Sequence, residues 1–293
     1  MKPRKLLMIV NPKAGRSKSR GPLFDAAAVL SDAGYWISIH NTAFPGDAAA
    51  TAQREGPRAD VVVAVGGDGT LNEVASGLSQ LKRPPLLGYL PQGSTNDFAA
   101  SLHIPGDPAA AAASIARNVP RKLDLGCWNG RHFLYVASFG AFTRTSYAAP
   151  QAAKNALGHL AYILEGMKDL STLRPYRVRI TADGENLDGE YLFGAVCNST
   201  SIGGLMKLDA NRVVLDDGLF ELLLVPSIKT AAGLQNLVHA LLNQEYDSLV
   251  FRHASSIRLE TGEELPWSLD GEYAPSAPVV TIENRRQALT MLL

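Results

Sequence analysis

The chain has only two cysteines in 293 residues. Cys127 and Cys197 stand alone in apolar surroundings and form no CxxC pair, which excludes a disulfide scaffold and a thiolate zinc site and predicts two buried thiols. The six histidines show no HExxH or comparable ligand spacing. No apolar run reaches 18 residues, so no membrane-spanning helix is expected. The apolar run behind the basic N-terminus is only Leu6 to Val10 before Asn11-Pro12 ends it, short for a signal-peptide core, and a cytoplasmic location is expected. Net charge is absent too. With 28 Lys and Arg against 28 Asp and Glu, the chain is neither a generally basic nucleic-acid binder nor an acidic disordered tail, and no nucleic-acid partner is expected. Repeats and low-complexity linkers are missing, as is the Walker pattern GxxxxGK[ST].

The length corresponds to about two domains. Short apolar runs at Leu6–Val10, Trp36–Ile39, Val61–Val65 and Leu86–Leu90 read as strands buried on both faces. Between them lie helical segments at Pro22–Ala33, Asp47–Glu55, Thr70–Leu78 and Thr95–Leu102. This alternation predicts a doubly wound α/β domain with ligands at the carboxyl ends of its strands. Beyond about Arg121, after the breakers Asn118-Val119-Pro120, the pattern changes. Asp124–Trp128, Phe133–Ser138, Arg177–Thr181, Tyr191–Cys197, Leu219–Val225 and Ser256–Glu260 read as strands. Asn-Gly or Asp-Gly at 129–130, 183–184 and 188–189 predicts tight hairpin turns. Helices are expected at Ala152–Leu170 and Thr230–Asn243. The expected division is an α/β domain at 1–121, with the tail from about 280 to 293 packing back onto it, and an antiparallel β-sandwich or barrel at 122–279.

The charges are segregated. Residues 1 to 20 carry Lys2, Arg4, Lys5, Lys13, Arg16, Lys18 and Arg20 with no acid, whereas 259 to 284 carry Glu260, Glu263, Glu264, Asp270, Glu272 and Glu283 with no base.

Val61–Val65 runs into Gly66-Gly67-Asp68-Gly69-Thr70, and a helix follows. Glycines there let backbone N–H groups close on an anion at a helix N-terminus. It is not the dinucleotide pattern GxGxxG, because Asn72 stands where the third glycine belongs. A carboxylate inside a phosphate turn makes chemical sense when a divalent cation lies between Asp68 and the phosphate; the competing reading is Asp68 as the N-cap of its own helix. Two further loops follow strands in the same way: Asn11-Pro12-Lys13-Ala14-Gly15, leading into a basic run, and Gly93-Ser94-Thr95-Asn96-Asp97-Phe98.

These elements resemble the diacylglycerol kinase catalytic-domain family, bacterial lipid kinases related to sphingosine and ceramide kinases. The resemblance is carried by Asn11–Gly15, Gly66–Glu73, Gly93–Ala99, Leu123–Gly126, Leu215–Leu219 and Leu269–Glu272, in the family's order across nearly the whole chain. It implies a magnesium- and ATP-dependent kinase of a lipid hydroxyl, such as diacylglycerol or a sphingoid or ceramide-type lipid, with the active site in a cleft between two domains. It further implies that ATP is bound by Asn11, Pro12, Lys13, Ala14, Gly15, Thr42, Gly66, Gly67, Asp68, Gly69, Thr70, Leu71, Asn72 and Ser94 or Thr95. Asp270 would be the general base, joined by Asp68 and Asp124 in a network with magnesium, and Glu272 is a further metal-ligand candidate. The Val214 and Leu219 carbonyls with the Asp217 carboxylate would form a second, structural cation site; the competing reading there is a tight turn. The segment Gly203–Ala210 departs from the family pattern. The alternatives are a kinase of a soluble substrate such as NAD, or an inactive nucleotide-sensing module.

Membrane contact is expected to be peripheral and transient, with the basic residues of 1–20, Lys2, Arg4 and Lys5 among them, serving either anionic lipid or ATP phosphate, and a homodimer is left open. Leu-Asp-Gly-Glu-Tyr occurs at both 187–191 and 269–273; Asp188 reads as part of hairpin turns, and the family places its base at Asp270.

Overall fold

The computed structural model describes residues 3–14, 21–94, 96–140, 174–202, 206–209, 211–228, 230, 232–233, 236–237, 239 and 249–293. The chain divides into two compact units, Met1–Asp124 with Gln287–Leu293, and Leu125–Arg286.

The first unit follows the strand and helix alternation of its sequence: β1 (Arg4–Val10), α1 (Gly21–Asp32), β2 (Tyr35–Asn41), α2 (Asp47–Glu55), β3 (Val61–Gly66), α3 (Asp68–Ser79), β4 (Leu86–Pro91), α4 (Asp97–Ser101) and α5 (Pro108–Arg117). The strands are parallel in the order β2-β1-β3-β4. Leu6, Met8, Val10, Val61, Val63, Val65 and Leu90 meet Leu30 and Ile115 of the covering helices in one core. Chain order steps from β1 to β2 on one side and to β3 on the other, so the switch point of this doubly wound sheet lies between β1 and β3. Capping shows in the sequence at α5, where Asp107 accepts from the Ala110 N–H at 2.8 Å, Pro108 opens the helix and Asn118 ends it at φ 56°. The helix expected at Thr95–Leu102 is shorter, because Asn96 takes a left-handed conformation (φ 52°) and delays its start to Asp97.

The second unit contains the end of β5 (Pro120–Trp128), then β6 (Arg131–Phe133), β7 (Val136–Gly140), β8 (Tyr176–Ala182), β9 (Glu185–Asn186), β10 (Gly189–Cys197), β11 (Ser201–Ile202), β12 (Met206–Lys207), β13 (Phe220–Pro226), β14 (Val250–Ala254), β15 (Ser256–Glu260), β16 (Trp267–Leu269), β17 (Glu272–Ala274) and the start of β18 (Val279–Leu292). β10 pairs with β8 through Gly189–Tyr191 and, past a register shift, with β7 and β13 through Phe193–Cys197, passing from one layer of the sandwich to the other. Phe133, Phe139, Phe220 and Trp267 lie in the core.

Two expectations are corrected. The strand expected at Phe133–Ser138 is interrupted at Leu134-Tyr135. Asn129-Gly130 and Asp183-Gly184 adopt positive φ, but Asp188-Gly189 does not; Gly189 pairs instead with Val178 in the sheet. A further Asp-Gly pair at positive φ is Asp270-Gly271, at 49° and 83°. The helix expected at Ala152–Leu170 lies outside the described residues, as does most of the one at Thr230–Asn243.

Candidate active site

Loops at the carboxyl ends of β1, β3 and β4 are joined by hydrogen bonds at the edge of the first unit's sheet. After β1, the Asn11 N–H donates to Val65 O at 2.9 Å. The Asn11 side chain donates to Thr70 Oγ1 at 3.2 Å and accepts from the Lys13 N–H at 3.0 Å. This bond bridges the β1 loop and the start of α3 at the switch point. Thr42 is fixed beside them, its N–H donating to Val10 O at 2.8 Å. Pro12 and Lys13 are exposed. Gly15 and Thr95 lie outside the described residues.

The β3 and β4 loops meet backbone to backbone. A Cβ on Gly93 would fall 2.5 Å from Gly67 Cα, so position 93 requires glycine, and a Cβ on Gly67 would come within 3.1 Å of Gly93 Cα. Gln92 N–H adds a 2.7 Å bond to Gly66 O. Asp68 does not cap its own helix: the N-cap is Gly67, without a side-chain bond. The Asp68 carboxylate, 8% exposed, instead accepts from the N–H groups of Asp97 (3.0 Å) and Phe98 (3.3 Å). It thereby ties the glycine turn to the first turn of α4. Leu71 is packed in the core and its N–H closes on Gly67 O. Asn72 accepts from Ser76 Oγ at 3.2 Å, and Ser94 is exposed.

Sequence reading missed several residues that build this edge. Asn96 accepts from the Gly93 N–H (2.8 Å) and from Tyr89 Oη (3.3 Å), and donates to Gly93 O (3.0 Å). Burial, reinforced by Asp68 and Asp97, pushes the Tyr89 phenol well above its ordinary pKa, so it remains a donor. Glu73 accepts from Gly46 N–H (2.9 Å) and Ala48 N–H (3.2 Å), fixing the start of α2. Asp47 accepts from the Ala43 N–H at 2.8 Å and lies 3.2 Å from His40 Nε2. That amide, against burial and with help from His40, holds its carboxyl below the usual range. The available signals were an Asn before a short helix, and acids at a helix start.

Two more of the nominated carboxylates, Asp124 and Asp270, are also buried and bonded to backbone. Asp124, fully buried, accepts from the Gln287 N–H at 2.7 Å within the first unit. Asp270, 6% exposed, accepts from three consecutive N–H groups of the second unit: Leu134 (2.6 Å), Tyr135 (3.0 Å) and Val136 (3.0 Å). Its own N–H donates to Val136 O at 2.8 Å. The break between β6 and β7 is what turns this row of amides toward the carboxylate. Glu272 is exposed. At 214–219 the geometry is that of a tight turn: the Leu219 N–H donates to Asp217 Oδ1 at 2.8 Å and Gly218 sits at φ 90°.

Two family profiles match the chain: the diacylglycerol kinase catalytic domain over residues 5–128, and the YegS C-terminal NAD kinase beta sandwich-like domain over 136–293. A diacylglycerol kinase of Bacillus subtilis is 36% identical over 275 residues, covering 92% of this chain and 90% of the relative. One of Staphylococcus aureus is 34% identical over 274 residues, covering 92% and 87%. The chain belongs to the diacylglycerol kinase family. The crystal structure of a diacylglycerol kinase from Bacillus anthracis strain Sterne superposes with a TM-score of 0.77 at 28% identity, covering 100% of this chain and 97% of that one.

Kinase membership implies a nucleoside triphosphate donor, and the site must be judged against a divalent cation. The donors are oxygens, right for a hard cation, but among the described residues no three acidic, His or Cys side chains converge. Magnesium commonly needs only one or two carboxylates, with water and substrate phosphate completing its shell, and Asp68 beside the glycine turn fits that use. The acid-only stretch 259–284 is not a metal-facing surface throughout. Glu260 pairs with Arg179 and Arg258, Glu263 with Arg174, and Glu283 with Arg285. Arg4 of the basic N-terminal segment is likewise engaged, bonded to Asn118 Oδ1 at 2.8 Å and lying over the Tyr35 ring.

Proposed function

We propose that this protein is an ATP-dependent lipid kinase that transfers the γ-phosphate to a hydroxyl of a membrane lipid of the diacylglycerol class. The observation that carries this reading is identity to proteins named diacylglycerol kinase along nine-tenths of the chain. Phosphoryl transfer asks little of the protein beyond holding the phosphates, balancing their charge and accepting one proton. In this reading the Gly66–Thr70 turn and the start of α3 cradle the phosphates, with Asn11 and Thr42 beside them. Asp68 holds magnesium, which when bound neutralises charge on the transferring group. Asp270 accepts the proton of the lipid hydroxyl, its orientation set by the three amides that grip it. Asp124 holds the Gln287 backbone and acts as a positioning residue. The 214–219 turn is left as a turn. Contact with the bilayer is peripheral in this reading, because no helix among the described residues is long and apolar enough to cross it.

A second reading, phosphorylation of NAD, is favoured by the description of the profile that matches residues 136–293. One experiment separates the two: incubation with γ-labelled ATP, magnesium, a total lipid extract and NAD. Label in a solvent-extractable lipid that co-migrates with phosphatidic acid is expected. Label in aqueous NADP, or ATP binding without transfer to any acceptor, overturns the lipid reading.

A further inference from the structure

The amides that grip Asp270 are themselves held from behind. Of the three, the N–H groups of Tyr135 and Val136 converge on one carboxylate oxygen, Oδ1. In a trans peptide the N–H and C=O point in opposite directions, so each of these donors has a carbonyl on its far side: Leu134 O behind the Tyr135 N–H, and Tyr135 O behind the Val136 N–H. One residue takes both carbonyls. The Asn198 N–H donates to Tyr135 O at 2.9 Å, and its side-chain Nδ2 donates to Leu134 O at 3.3 Å. A carbonyl only accepts, which fixes the amide face that Asn198 turns to Leu134.

The topology explains why a side chain is used here. β10 pairs with β7 from Phe193↔Gly140 to Cys197↔Val136, and Asn198 is the first residue beyond that ladder. Its backbone adds one more bond, to Tyr135, and then the chain turns elsewhere, with Thr200 O accepting from the Leu208 N–H at 2.9 Å. The Asn198 side chain supplies the next donor in place of a continuing strand. Asn198 is 1% exposed, and an amide is kept at that depth only where hydrogen bonds offset its desolvation. Bonds in series also polarise one another: a peptide whose C=O accepts donates more strongly through its N–H, by roughly 10–30% per bond.

We propose that Asn198 is a positioning residue for Asp270, acting through the Leu134–Tyr135 and Tyr135–Val136 peptide units. The proposal rests on the reading of Asp270 as acceptor of the hydroxyl proton. All of these residues belong to the second unit.

The test removes the side-chain donor alone. Asn198→Leu keeps the bulk and the backbone N–H; Asn198→Asp keeps the shape and sets an acceptor against Leu134 O. Rates are measured on the full chain with whichever acceptor, lipid or NAD, the wild type labels. Both variants are expected to bind ATP like wild type in equilibrium dialysis. Their kcat should fall roughly 10- to 100-fold, the range for a small misplacement of a reacting group, with KM for ATP unchanged. In an Asp270→Asn background, Asn198→Leu should cost nothing further, because residues that act as a unit are not additive. Leu259→Ala, which empties core space of the same unit on β15, should lower the thermal melt and keep kcat. Without any substrate, the amide 15N–1H signals of Tyr135 and Val136 should move in Asn198→Leu. A wild-type kcat, a loss carried by KM, an equal loss with and without the Asp270 carboxylate, unmoved amide signals, or failure of both Asn198 variants to bind ATP overturns the proposal. Asp270→Asn with a wild-type rate instead overturns the proton-acceptor reading, and the amide signals then decide whether Asn198 orients that carboxylate.

Discussion

Leu-Asp-Gly-Glu-Tyr at 187–191 runs into β10 with Asp188 exposed and accepting from the Ile180 N–H at 3.0 Å; the same five residues at 269–273 turn between β16 and β17 with Asp270 buried under three amides. Five identical residues thus give two backbones and two environments. What differs is the partner. At 189 the β8 strand claims the glycine. At 270 the interrupted segment Leu134–Val136 presents buried N–H groups that need an acceptor, and the Asp-Gly pair is free to take the turn geometry that its composition favours.

The largest expected difference is in activity. Asp270→Asn should cost at least about 100-fold in phosphoryl transfer, the range for loss of a general base, whereas Asp188→Asn, which keeps an acceptor for Ile180, should match wild type. Because the new amide at 270 faces backbone donors, ATP binding by equilibrium dialysis must be retained for the comparison to count. Equal transfer rates in the two variants would remove Asp270 from the chemistry.

Next comes stability after truncation. Asp270→Ala leaves three N–H groups without their acceptor, about 1–3 kcal/mol for each that water does not reach, while Asp188→Ala at the surface should cost below about 1 kcal/mol. Urea midpoints would show it, and similar midpoints would mean that the amide row is not stabilising.

Glycine replacement sharpens the backbone difference. Gly271 sits at φ 83° and a Cβ there would meet only the Tyr135 hydroxyl, in ordinary contact at 3.9 Å, so Gly271→Ala should cost about 1–2 kcal/mol from the left-handed conformation alone. Gly189→Ala asks the Tyr191 ring, 3.0 Å from the new Cβ, to yield by a few tenths of an ångström, a smaller loss by thermal melt. The reverse order would contradict the two conformations.

The smallest effect is with acid. Beside the 187–191 copy, burial pushes Asp183 up, but the Ser255 and Ser256 amides and the Ser255 hydroxyl pull its pKa below the ordinary value. A carboxyl depressed in the folded state contributes stability above its unfolded pKa of about 3.9 and loses it as pH falls through the folded value. Wild type should therefore lose slightly more stability than Asp183→Asn below about pH 4, measured by urea titration; parallel losses would show that the bonds to Ser255 and Ser256 contribute nothing.

What the sequence made legible follows the same division between local and remote causes. The strands of the first unit are continuous apolar runs and the caps of α5 are neighbours in sequence, so both can be read directly. That Gly66–Thr70 is a turn from strand into helix could be read from its own five residues. That Asp68 would reach the amides of Asp97 and Phe98 could not, because the partners lie 29 and 30 residues away. β18 was missed because Glu283–Gln287 interrupts its apolar pattern with polar residues, and β16 and β17 because each is only three residues long.

The bond between Asp124 and the Gln287 amide spans 163 residues, and Met291 and Leu292 fill space beside β4 and in the core of the first unit. The ribosome therefore delivers β1 to β5 long before the strand that finishes their sheet. The first unit stays an incomplete intermediate until the whole of the other unit has been synthesised, so a fragment ending at residue 124 should resemble a molten precursor rather than a folded module.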